Sequence, residues 1–148
     1  MLFPALILML CSFRKIISYD TTRDGIYAVR DAKGKGHGWL VQGDPDHPDQ
    51  VNFLRPHQTE IIFSATMVDA THFKTKTVKP WKERSSEYAR EYDAYGQFID
   101  TATLFLHVSV KRTHLAKKVV QDTSYEYTYL KLYKHESPSG YPDDSEDD

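Results

Sequence analysis

Cysteine is nearly absent. Cys11 stands alone, so no intrachain disulfide can staple the chain. Small extracellular domains often rely on such bridges; here a hydrophobic core has to hold the fold. Asparagine occurs once, and Asn52 is followed by Phe53 and Leu54, which makes no N-glycosylation sequon. After residue 13 there is no long apolar run, and no internal repeat is visible. Catalytic and metal signatures are missing as well. There is no G-x-S-x-G nucleophile turn, no H-E-x-x-H, no EF-hand loop and no phosphate-binding G-x-x-x-x-G-K-[ST]. Because the lone cysteine lies in the apolar N-terminus, a Cys–His nucleophile is disfavoured too.

What is present reads as one globular domain. The 148 residues are enough to bury a core without staples. Val, Ile, Thr, Phe and ten tyrosines lean the composition towards strands. The net charge of −2 hides an asymmetry. Beyond His135 lie six acids, Glu136, Asp143, Asp144, Glu146, Asp147 and Asp148, and no base, so the chain up to His135 carries about +4 and the residues after it −6. A run of like charge is the pattern of a solvated, disordered tail. Three segments follow: an apolar leader or docking segment over 1–18, a single β-rich domain over 19–136, and an acidic tail over 137–148.

The leader has three readings. Leu2 to Phe13 is almost wholly apolar, with Arg14 and Lys15 after it. As a helix it would reach ~18 Å, short of a ~30 Å hydrocarbon core. A secretory signal would place its bases first and a small-residue cleavage site last. The run is therefore an atypical signal peptide, an interfacial or partner-bound anchor, or a core element.

Period-two alternation dominates the rest. Asp24-Gly25 opens a hairpin, with a strand over 26–30, a turn at "AKGKG" and a return strand over 39–42. "DPDHPD" is a rigid loop, and "VNFLR" a short edge-like strand stopped by Pro56. From residue 61, Ile61, Phe63, Ala65 and Met67 share one face. "THFKTKTV" alternates with a basic outer face. "TATLFLHVSVKR" sets Leu104, Leu106, Val108 and Val110 against Phe105, His107 and Ser109. "SYEYTYLKLYKH" places Tyr125, Tyr127, Tyr129 and Lys131 together. One segment suggests a helix: "SSEYAREYDAYG" has a serine cap, a terminal Gly96, and Tyr88, Tyr92 and Tyr95 at i, i+4 and i+7. Six or seven strands with one short inserted helix predict a mainly β fold, an antiparallel β-sandwich or a partly open barrel.

Two clusters are candidate sites. The first lies in "HGWLVQGDPDHPDQVNFLRPHQTE". His37, His47, His57 and Glu60, with Asp44, Asp46 and Asp49 nearby, have the chemistry of a metal site but no metal-site spacing. The plainer reading is a hairpin arm and a polar loop. His57 with Glu60 is the alternative acid–base pair. The second is the densest basic run, Lys111, Arg112, His114, Lys117 and Lys118, at a strand-to-turn junction where an anionic polymer or lipid could bind.

The function expected is that of a non-enzymatic, β-rich interaction or structural protein, with no catalytic residue, metal or cofactor assigned. It would be targeted or docked through its N-terminus. Its partner would be another protein or a second copy, with membrane association through residues 2–13. Nucleic acid is not expected. It would be secreted or membrane-associated, or else a soluble subunit of an assembly. The alternatives are a small hydrolase or metal-binding enzyme on the 37–60 stretch, and an anionic polymer or lipid module on 111–118.

Overall fold

A computed structural model describes residues 17–132. The tail, and nearly all of the leader, lie outside the described residues. After a 3-10 turn at Thr21–Arg23 come eight strands: β1 Gly25–Arg30, β2 Gly36–Gly43, β3 Gln50–Leu54, β4 Ile61–Met67, β5 His72–Glu83, β6 Ser86–Asp100, β7 Thr103–His114 and β8 Val120–Lys131. All neighbours run antiparallel in chain order, and β1 pairs with β8 to close a barrel. The ring closure replaces the expected sandwich or partly open barrel. Closure is hard to read from sequence because one short seam carries it, Tyr27↔Lys131 and Ala28↔Leu130. It also makes β3 a buried strand rather than an edge.

The expected helix over 85–96 is corrected to β6. Its residues pair along their length with both β5 and β7. Tyr88, Arg90, Tyr92, Ala94, Gly96 and Phe98 point inward, while Glu87, Glu91, Asp93 and Tyr95 point outward. The two-residue period was masked because the inward set includes an arginine and a glycine. Nor does Gly96 cap a helix. A Cβ there would sit 2.3 Å from the Phe105 carbonyl oxygen and 2.5 Å from Cζ of Phe73, so only glycine lets that ring cross β6.

The core fills the lower barrel. Phe53, Phe63, Phe73, Phe98, Tyr27, Trp39 and Tyr129 interdigitate with Val41, Val51, Leu104, Leu106 and Val108. Phe53 stacks on Phe63 at 4.7 Å, and Phe73 meets both Phe53 and Phe98 at 5.3 Å. Eight strands enclose a space that side chains can fill or that one small ligand can share. The base is closed by Tyr19, which packs on Phe98 at 5.6 Å and donates its hydroxyl to Asp24. Burial, and then the Asp24 carboxylate, push the Tyr19 phenol well above its usual range.

The two halves of the barrel differ in length. β1–β4 are short and β5–β8 long, and the halves meet at narrow seams. Where β4 and β5 part, side chains replace the backbone ladder: Thr75 Oγ1 donates to the Ser64 carbonyl at 2.6 Å, and Lys79 Nζ to that of Ile61. At the other seam, His37 stacks on Tyr127 at 4.6 Å. The upper ends of β5–β8 therefore overhang the rim set by β1–β4.

Candidate functional site

The inner face at this rim places three cations in one row. Lys79 on β5 pairs with Arg90 on β6, and Arg90 with Arg112 on β7. Directly opposed residues of an antiparallel sheet lie ~4.5–5.5 Å apart, and like charges so placed repel. The row sits between two rows of different chemistry. Below it lie Thr77, Tyr92 and Val110 in register; above it lie Trp81, Tyr88 and His114.

Each arginine is held by its neighbours. The Arg90 guanidinium lies 3.8 Å from the centre of the Trp81 ring, and Arg90 is only 3% exposed. Its Nη1 donates to the Tyr92 hydroxyl at 3.4 Å. The Arg112 guanidinium lies 4.0 Å over Tyr88 and pairs with Glu83. Lys79 pairs with Glu60 at 3.1 Å. Tyr88 also meets the His114 ring edge-on at 4.9 Å. Cation–π contact of this kind stabilises a guanidinium while leaving its edge N–H groups aimed past the ring. The arrangement is an inner-wall row of cations, buried at Arg90 and partly exposed at Lys79 and Arg112, with an aromatic row above it.

The 37–60 residues do not converge. His37 faces inward at the β1–β8 seam and contacts Asp31 at 3.1 Å; that hydrogen bond is the main cause holding the Asp31 carboxyl below its usual range. His47 is exposed in the lower loop beside Asp44 at 3.4 Å. His57 occupies a left-handed position, φ 65°, in the upper β3–β4 turn. Glu60 instead serves Lys79. Among the described residues no three His, Cys, Asp or Glu side chains are grouped to hold a metal ion. His37 lies on β2, His47 in the lower β2–β3 loop and His57 in the upper β3–β4 turn, so the three histidines stand apart.

The basic run 111–118 is divided by the strand period. Arg112 and His114 point into the barrel. Lys111 points outward into a shallow groove with Glu91, Asp93, Ser109 and Asp122. Lys117 and Lys118 lie exposed on the β7–β8 turn. Lys79, Trp81 and Arg90 had no linear signal. Their row exists only across strands, and the helical reading of 85–96 hid its central member.

No family model, curated protein or solved structure matches the chain.

Proposed function

We propose that the protein is a non-enzymatic binding protein whose barrel mouth takes an anionic small molecule with an apolar or planar body. The observation that carries this reading is the in-register row Lys79–Arg90–Arg112 on the inner wall. The row gathers positive charge on one wall, and a bound carboxylate, sulfate or phosphate would add to the Glu60 and Glu83 pairs in offsetting its repulsion. Trp81 and Tyr88 above the row would cover the ligand's body, and the filled floor limits how deep it reaches. Ligand sites commonly occupy the mouths of barrels, with few polar groups fixing orientation. On β5–β8 the upper outer face is polar, with Lys74, Lys76, Glu91, Asp93, Lys111 and Asp122 pointing outward, unlike the apolar band of a membrane barrel. The apolar N-terminus would target or dock this module, and a protein partner would meet it there.

The test is a calorimetric titration of the full chain with laurate and with dodecanol, which share a chain length but not a charge. Laurate should bind at least tenfold more tightly. Arg112→Gln and Lys79→Gln, both at partly exposed positions, should each remove most of that preference while circular dichroism stays unchanged. Equal affinity for the two ligands, or a preference untouched by either substitution, would overturn the reading.

A further inference from the structure

The two ends of the barrel carry opposite charge. At the lower end, the connections around 17–24, 43–50, 67–72 and 99–102 hold seven aspartates, against Arg23 and the nearby Lys131. At the upper end, residues 78–91 and 111–122 hold eight bases against four acids. The tip of that upper end is also apolar. Leu115 is 50% exposed, Val119 55% and Val120 47%. Val120 ends an outer-face row, Pro80–Ala89–Thr113–Val120, in continuous register across four strands. Lys117 and Lys118 sit between the exposed aliphatic residues.

This tip is held rigidly. His114 N–H donates to the Val119 carbonyl at 2.9 Å, and Lys118 N–H to the His114 carbonyl at 2.8 Å. Lys117 N–H donates to His114 Nδ1 at 3.0 Å, and Leu115 N–H to the Glu87 carbonyl of the neighbouring strand at 3.0 Å. Lys118 takes a left-handed conformation, φ 55°, to complete the turn. Three aliphatic side chains are thus kept in water on a fixed turn, with lysines interleaved.

We propose that the β7–β8 turn docks the protein on an anionic bilayer. Leu115, Val119 and Val120 enter the boundary between headgroups and acyl chains, and Lys117 and Lys118 meet the anionic headgroups. This is the division of labour by which apolar insertion and basic residues together hold an interfacial element. The aspartate-rich lower end is repelled by the same surface, so the charge polarity orients the molecule tip-down before contact. The occupant is a bilayer rather than a soluble phosphate because three exposed aliphatic side chains, which a phosphate would leave in water, share the tip with the two lysines.

The test is flotation of the full chain with phosphatidylcholine vesicles, with and without phosphatidylserine. Binding should require phosphatidylserine and weaken with added salt. Lys117→Gln with Lys118→Gln should lower affinity about 30-fold, roughly fivefold per lysine, and Leu115→Ser about tenfold. Melting curves should be unchanged, since all three positions are exposed. The laurate titration should also be unchanged, which separates this inference from the barrel-mouth reading. Equal binding to neutral vesicles, or binding insensitive to both sets of substitutions, would overturn the proposal and move the membrane contact to Leu2–Phe13. So would displacement by excess inorganic phosphate, or tighter binding of a single-stranded oligonucleotide through the same lysines.

Discussion

Replacing Gly96 with alanine adds one methyl group at the tightest crossing in the barrel. The new Cβ would meet the Phe105 carbonyl oxygen at 2.3 Å, the Phe73 Cζ at 2.5 Å and its Cε1 at 3.1 Å. Phe73 has no easy retreat, because it is 1% exposed and wedged between Phe53 and Phe98. The carbonyl is pinned in the β6–β7 pairing at Gly96↔Leu106 and Gln97↔Phe105. Overpacking a filled core costs ~1–3 kcal/mol, and a backbone contact this short places the cost at the upper end. Alanine returns ~0.4–1 kcal/mol by narrowing the unfolded ensemble. The expected net loss is about 2 kcal/mol, or ~4–8 °C in melting temperature for a chain of this size. Urea denaturation and a thermal melt read it directly. A variant within about 0.5 kcal/mol of the parent, the usual range for an innocuous surface change, would refute the crossing of Phe73 over β6.

Phe98→Ala should cost ~3–5 kcal/mol, because the ring is fully buried between Tyr19, Tyr27 and Phe73; a loss below 1 kcal/mol in urea would show that the lower end is not sealed there. Acid stability should depend on Asp69. Backbone N–H donors from Thr71 and His72 lower its pKa from 3.8 to about 2. A depressed carboxylate contributes stability that is full above its unfolded pKa and lost as pH falls through the folded one. The melting temperature should therefore hold down to about pH 4 and fall towards pH 2, less steeply in Asp69→Asn, and an identical slope in the two proteins would count against it.

The strands that sequence makes legible are those whose inward set is uniformly apolar. Leu104, Leu106 and Val108 on β7, and Phe63, Ala65 and Met67 on β4, alternate cleanly and lie inside the barrel. The hairpin turn between β1 and β2 falls at its glycines. β6 is obscured because Arg90 and Gly96 stand among its inward residues, and the tyrosine spacing of 88, 92 and 95 imitates a helical face. In the barrel Tyr88 and Tyr92 point in, while Tyr95 points out and stacks on His107 at 4.8 Å. β5 runs further than its alternation suggests, through Pro80 to Glu83, because its pairing with β6 continues to the turn. The basic run at 111–118 was visible as composition, but its division between mouth, groove and tip follows from the strand period. A row formed by residues 79, 90 and 112 leaves no motif in one dimension. It appears only when three strands are set in register.

The most direct measurement follows the arginine Nε–H and tryptophan indole resonances by NMR while laurate is added. The account predicts that the signals of Arg90, Arg112 and Trp81 move together and saturate at one ligand per chain, while amides of the lower loop at Asp44–Asp49 stay fixed. Shifts confined to the lower loops, or saturation with the Arg90 and Arg112 signals unmoved, would contradict an anion site at the barrel mouth.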